Sequence, residues 1–282
     1  MKRRAAAIVI VVILVAGLAF LLYPTVSDIF HKREFQSRIS EYTKAVAVSD
    51  DAKLEELWES AQEYNRNLKA NRFYELTPSE RAEYDSQLIL DGSNVLGTLS
   101  IPSIKVSLPL YHGSDDEVLS NGIGHIEGTS LPVGGTGSHS VISGHRGLPS
   151  ARLLTDLDKV EVGDIFILEV LGHTLTYETD LISVVLPDDV SLLEIDPKAD
   201  FCTIVTCTPY GVNSHRLLVR GHRTDNAAAD DDVRITPDAL QIDRAMAAAA
   251  GAVPLIIVLV ILIVSKSRTA NKRKHDENDK KL

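Results

Sequence analysis

Two uninterrupted apolar runs bracket this 282-residue chain and limit what it can become. The first runs from Ala5 to Leu22 behind Met1-Lys2-Arg3-Arg4, and the second from Ala245 to Val264 ahead of Lys266, Arg268, Lys272, Arg273 and Lys274. Each has the roughly 18–20 residues needed to cross the hydrocarbon core of a bilayer as a helix. The first is longer than the core of a signal peptide and has no convincing small-residue cleavage site before Pro24, so it reads as an uncleaved anchor. Pro254 is tolerable inside a membrane helix, where neighbours re-satisfy the freed carbonyl. Both positive clusters lie on the outer sides of the spans, so both termini are expected in the cytoplasm and the middle of the chain outside the cell membrane.

The middle is acidic overall. A formal charge of -10 and no basic stripe interleaved with aromatics exclude nucleic acid as the main partner. The two cysteines, Cys202 and Cys207, are five apart on one expected strand and point to opposite faces, which rules out a disulfide between them. No cofactor or metal is expected. His and Asp are scattered without ligand spacing, and Gly134-Gly135-Thr136-Gly137 lacks the lysine of a phosphate loop and opens no helix.

From Val26 to about Leu90 the pattern is helical. Leu54, Leu57, Trp58, Ala61 and Leu68 form one apolar stripe that Asp50 or Asp51 can cap. Thr77-Pro78-Ser79-Glu80 is a capping box with proline in the first turn. These helices read as scaffold or spacer, able to pack on the domain that follows. From about Val95 the texture changes to short strands broken by Gly and Pro. Expected strands are 95–101, 105–111, 138–143, 164–171, 174–186, 200–207 and 216–222, with a hairpin turn at Leu171-Gly172-His173 and a short helix at 150–157. Seven or eight such strands make a mainly β barrel or sandwich.

The chemistry concentrates where strands end. Phe201 to Thr206 alternate as a β-branched strand, and Pro209, Gly211 and Asn213 then open a loop, so Cys207 sits at the junction. A lone cysteine is more often a small buried hydrophobe than a nucleophile. The strand end, with polar Thr208 and a turn beyond it, favours the reactive role. His145, between Gly144 and Arg146-Gly147 at the end of an apolar strand, is the candidate acid and base; His125 is its alternative. Arg216 can donate to a developing oxyanion, and Arg220, four residues on along the same strand face, is the residue it could be confused with.

Three segments together resemble the sortases, and among them the pilin-polymerising class C. They are Gly122–Gly135, Ser143–Ala151 (Ser-Gly-His-Arg-Gly-Leu-Pro-Ser-Ala) and Thr203–Gly221, which opens Thr-Ile-Val-Thr-Cys. The likeness covers about Asn94 to Arg223. It implies a closed β-barrel of seven to eight strands with short helices, preceded by N-terminal helices and flanked by two transmembrane helices. It also implies a catalytic set of Cys207, His145 and Arg216, working without a cofactor. The implied reaction is transpeptidation: the cysteine attacks the Thr–Gly bond of a Leu-Pro-x-Thr-Gly-like sorting signal, and an amine resolves the thioester. In class C the amine is typically a lysine of a pilin subunit; in wall-anchoring sortases it comes from a cell-wall precursor. A membrane-tethered assembly scaffold without activity is the non-enzymatic alternative. The expected division is a cytoplasmic N-terminus at 1–4, a span at 5–23, an extracellular helical segment at 24–92, a catalytic barrel at 93–224, a linker at 225–244, a span at 245–264 and a charged cytoplasmic tail at 265–282. One departure stands out. The lid region, about 71–80, holds no Asp-Pro-aromatic, and Asp196-Pro197-Lys198 lies elsewhere without an aromatic; Phe73 and Tyr74 are the candidates to stand in.

The topology yields a direct expectation. A reporter fused behind Leu282 reads out from the cytoplasmic side; a reporter accessible from outside would overturn the two-span arrangement.

Overall fold

The computed structural model describes residues 2–226, apart from 69, 71–75, 91, 92 and 149. The second apolar run and both lid candidates, Phe73 and Tyr74, lie outside the described residues. Two compact units are present, one including residues 1–29 and the other running from Phe30 to Ile235. Helix α1 (Lys2–Val48) carries Pro24 within it, and it is the one described helix long and apolar enough to cross a membrane.

In the second unit, eight strands close a barrel. They are β1 (Val95–Ile101), β2 (Val106–His112), β3 (Ile123–His125), β4 (Ser138–Gly144), β5 (Ile165–Val170), β6 (His173–Val185), β7 (Asp200–Thr208) and β8 (His215–Thr224). Their order around the barrel is β1-β2-β3-β4-β7-β8-β6-β5, with β5 pairing back onto β1. Two neighbouring pairs, β2–β3 and β4–β7, are parallel; the others are antiparallel. Closure leaves no sheet edge. The inward residues of successive strands, among them Leu99, Leu110, Ile142, Phe166, Tyr177, Ile204 and Val219, fill the interior and are almost wholly buried.

Seven strands fall where alternation and turn residues place them. The eighth, β3, is three residues long and too short to show a period. Leu171 and Gly172 both adopt positive φ, 49° and 85°, as the two-residue hairpin between β5 and β6 requires. The helix expected at 150–157 does not form. Turns occupy 153–156 and a 3-10 helix follows at Leu157–Lys159. Leu153 sits at φ 40°, and acidic Asp156 and Asp158 oppose the dipole at what would be a helix C-terminus.

Helices α2 (Asp51–Asn67) and α3 (Pro78–Asp85) are fastened to the barrel. Asp50 caps α2 through Ala52 N–H, and Thr77 and Glu80 complete the capping box of α3. Trp58 of α2 stacks on His173 at 3.9 Å between ring centroids. Asn65 makes both amide bonds of a β-like pair with Leu131, donating to its carbonyl at 3.0 Å and accepting from its N–H at 2.7 Å. Farther up the chain, Tyr42 donates to Leu96 O and accepts from Leu171 N–H, both at 2.8 Å. Tyr84 of α3 is fully buried. Its hydroxyl accepts from Gly113 N–H at 3.1 Å and lies 3.0 Å from His125 Nδ1. Arg81 and Glu127 add a bidentate ion pair at 2.6 Å. A further helix, α4 (Asp116–Asn121), forms part of the crossover between parallel β2 and β3.

This polar packing sets a pH dependence. Burial pushes His112 and His125 down from 6.5 to about 4 and lowers His139 as well. The unfolded chain protonates these rings first as pH falls, so unfolding takes up protons between the two values and stability drops with acid. The melting midpoint is expected to hold above pH 6.5 and fall as pH approaches 4, with an uptake of about two protons per molecule near pH 5. Melting curves that superimpose across that range would contradict this account.

Candidate functional site

Strand pairing sets two of the three candidate residues side by side and brings the third to the end of the neighbouring strand. In the antiparallel pair of β7 and β8, Cys207 lies directly opposite Arg216, and Arg216 in turn faces Val185 of β6. On the other side of β7, parallel β4 pairs Ser143 with Val205. The ladder stops there and β4 ends at Gly144, so His145 is the first residue beyond the strand; Thr206 Oγ1 bonded to Gly144 O and Arg146 bonded to the Thr208 hydroxyl hold its segment beside that of Cys207. Adjacent strands run about 4.8 Å apart, so Cys207 and Arg216 are neighbours on one face.

The two cysteines part as their spacing requires. Cys202 is wholly buried in the barrel interior, where burial drives its thiol well above its usual range. Cys207 is half-buried, and its face of the sheet points away from that interior. Below it, Val141, Val205, Leu218 and Leu193 form a second, smaller apolar cluster outside the barrel. Val205, Leu218 and Leu193 of this cluster line a groove of about 780 Å³, together with Ser143, Val185, Arg216 and the acidic Asp115, Glu127, Asp188 and Asp189. An extended peptide fits such a trough, with an apolar floor for side chains and polar walls for its backbone.

Among the described residues, Arg216 makes both of its hydrogen bonds through Nη1, to Asn213 O at 3.3 Å and His215 O at 3.2 Å. Those bonds aim the side chain and leave Nε and Nη2 to meet a carbonyl oxygen. Arg220 has another role: it forms a bidentate ion pair with Asp180 at 3.0 Å and lies 4.3 Å over the Phe201 ring. His125, the alternative histidine, is fully buried on β3 and occupied. Its Nε2 donates to Ser130 O at 2.8 Å, and Tyr84 lies on its Nδ1. His139 is also enclosed, between Glu194 O and the Thr203 hydroxyl. Of these three histidines, His145 is the one whose neighbours, Gly144 and Arg146, are bonded to the residues flanking Cys207.

The loop behind His145 is shaped by two glycines. A Cβ on Gly144 would stand 2.6 Å from Leu154 Cδ1, and one on Gly147 would stand 3.2 Å from the Tyr210 ring, at φ 85°. The residue that sequence reasoning missed is Arg146. Its side chain is 8% exposed, and its guanidinium pairs with Asp158 at 2.6 Å and donates to Thr155 O and the Thr208 hydroxyl, each at 3.2 Å. Nothing in an isolated Gly-His-Arg-Gly run announces that the arginine turns inward.

A half-exposed thiol and a guanidinium on paired strands, with an imidazole just beyond the end of the adjoining strand, define a constellation suited to thiol-mediated acyl chemistry. Comparison with known proteins agrees. The sortase domain family matches residues 99–224. The crystal structure of sortase C1 from Streptococcus agalactiae is 48% identical, with a TM-score of 0.65 over 67% of this chain and 98% of that one. Sortase C of Streptococcus pneumoniae is 43% identical, with a TM-score of 0.60 over 66% of this chain and 96% of that one. Sortase A of Bacillus anthracis is 30% identical over 132 residues, 47% of this chain and 61% of that protein, so the match spans less than two thirds of that curated relative. The chain belongs to the sortase family, whose members are cysteine transpeptidases, and its structural relatives include class C sortases.

The burial contrast can be read with a thiol reagent. Iodoacetamide is expected to label the native protein once, on Cys207, and to reach Cys202 only in denaturant. Peptide mapping of the label checks this; labelling of Cys202 in the native protein would count against the barrel as described.

Proposed function

We propose that this chain is a membrane-anchored class C transpeptidase that joins pilin subunits, with Cys207, His145 and Arg216 as its catalytic set. The reading is supported by the pairing of Cys207 with Arg216 across β7 and β8, by the bonds that tie the residues flanking Cys207 to those flanking His145, and by the groove that Arg216 lines. The Cys207 thiolate attacks the threonine carbonyl of a Leu-Pro-x-Thr-Gly-like signal lying in the groove. Arg216 donates to the oxygen as it gains charge. The Thr–Gly C–N bond breaks, His145 gives its proton to the departing amine, and a thioester remains on Cys207. A lysine amine from the next pilin subunit then enters. His145 takes a proton from it, an isopeptide bond forms, and the thiolate leaves.

Several features support the pilin reading over anchoring to a cell-wall precursor. The streptococcal relatives above are class C sortases, and the S. pneumoniae structure is described with pilin substrate specificity. The two apolar runs also fit a two-span enzyme with its catalytic barrel outside and both termini in the cytoplasm. Tethering enzyme and substrates to one membrane raises their effective concentration. The lid region has no Asp-Pro-aromatic, and Phe73 and Tyr74 are the candidates to cover the thiol in its place; unchanged thiol alkylation rates in Phe73→Ala and Tyr74→Ala would rule that out.

The test uses the full chain in detergent micelles with a Leu-Pro-x-Thr-Gly peptide, read by intact mass. An acyl adduct on Cys207 that is discharged by a pilin lysine is the expected result, and Cys207→Ala abolishes it. Discharge only by a cell-wall amine would move the assignment to the wall-anchoring class. A thiol that neither acylates nor alkylates would leave a scaffold.

A further inference from the structure

Cys207 is bracketed by two threonines whose hydroxyls both reach the segment that carries His145. Thr206 Oγ1 donates to Gly144 O at 2.7 Å, and Thr208 Oγ1 accepts from Arg146 Nη1 at 3.2 Å. The residues on either side of the cysteine are thus bonded to the residues on either side of the histidine. Sheet pairing cannot do this, because the β4–β7 ladder ends at Ser143 and Val205. Beyond that point the cross-links are made by side chains.

Of the two links, the one through Arg146 is the more demanding. The guanidinium of an arginine side chain only 8% exposed is costly to desolvate unless its donors are met, and here they are met from three directions. Asp158 neutralises the charge, Thr155 O takes Nε, and Thr208 takes Nη1. Asp158 sits on the 3-10 turn, Thr155 in the turn before it, and Thr208 at the end of β7. The planar fork is rigid, so these three partners fix the direction in which the chain leaves β4. Leu154 N–H closes the arrangement by donating to His145 O at 3.2 Å.

We propose that Arg146, acting through Asp158 and Thr208, is a positioning residue that holds the His145 imidazole at working distance from the Cys207 thiol. This inference rests on the transpeptidase reading. It touches neither substrate nor thiol directly; it sets the geometry in which one proton passes between histidine and the reacting amine. Lysine keeps a charge for Asp158 but cannot bond all three partners at once, so it restores the function only in part.

The experiment compares Arg146→Gln, Arg146→Lys, Asp158→Asn and Thr208→Val in the full chain in micelles, with His145→Ala as reference. Two readouts are taken: acylation kinetics with a sorting-signal peptide, and the pH profile of Cys207 alkylation, which needs no substrate. Arg146→Gln is expected to lower kcat by about tenfold to a hundredfold with KM within about twofold, and Arg146→Lys to recover part of the loss. The Arg146→Gln alkylation profile should move toward that of His145→Ala. Thr208→Val should lower kcat, and adding it to Arg146→Gln should cost little more. A folded Arg146→Gln with wild-type kcat overturns the proposal, as does fully additive loss in the double variant. If Arg146→Gln does not fold, Thr208→Val removes one bond alone and decides by the same criteria. A wild-type protein that forms no adduct defeats the transpeptidase reading instead. The alkylation profiles then decide the positioning role, and a profile unmoved by His145→Ala or by Arg146→Gln overturns it.

Discussion

Everything at the site depends on the parallel pairing of β4 with β7. Parallel neighbours cannot be joined by a tight turn, so the chain must make a long crossover between Gly144 and Asp200. That crossover supplies β5 and β6, which close the barrel against β1 and β8. Closure and active geometry are therefore one event. The pairing also puts the carboxyl ends of two strands side by side, which is where their side chains are free to face a ligand while their backbones stay fixed.

The helical segment ahead of the barrel is joined to it through buried polar groups. Tyr42, Asn65 and Tyr84 each bond backbone groups of the barrel or its loops. Removing any of them would strand a buried amide or carbonyl, a penalty of about 1–3 kcal/mol each. Such contacts specify position more sharply than apolar packing does, because they tolerate little sliding. The segment read from sequence as scaffold or spacer is part of the folded unit.

Much of this was legible in advance, for identifiable reasons. β-branched alternation and Gly/Pro punctuation located seven strands within a few residues. The capping box at Thr77 and the Asp50 cap form as their residue types require. Cys202 and Cys207 fell on opposite faces because a strand has a period of two. What escaped was non-local or short. β3 has three residues and exists through its partners β2 and β4. The stretch at 150–157 has apolar residues at helical spacing, but it is drawn into turns that carry Asp158 to Arg146. That the segment of His145, rather than that of His125, is bonded to the residues flanking Cys207 is non-local, through links between residues 62 apart. Arg146 escaped for the same reason, since its partners lie 9 to 62 residues away.

The separation of the two thiols carries a further consequence for redox chemistry. Many cysteines that meet oxidants are rescued by a second cysteine within reach, which converts a sulfenic acid into a disulfide before it goes further. Here the second sulfur is on the far side of the sheet, sealed among Ile204, Phe166 and their neighbours. An oxidised Cys207 has no resolving partner of its own. Its recovery depends on a thiol supplied from outside the chain, and without one the oxidation proceeds toward irreversible acids.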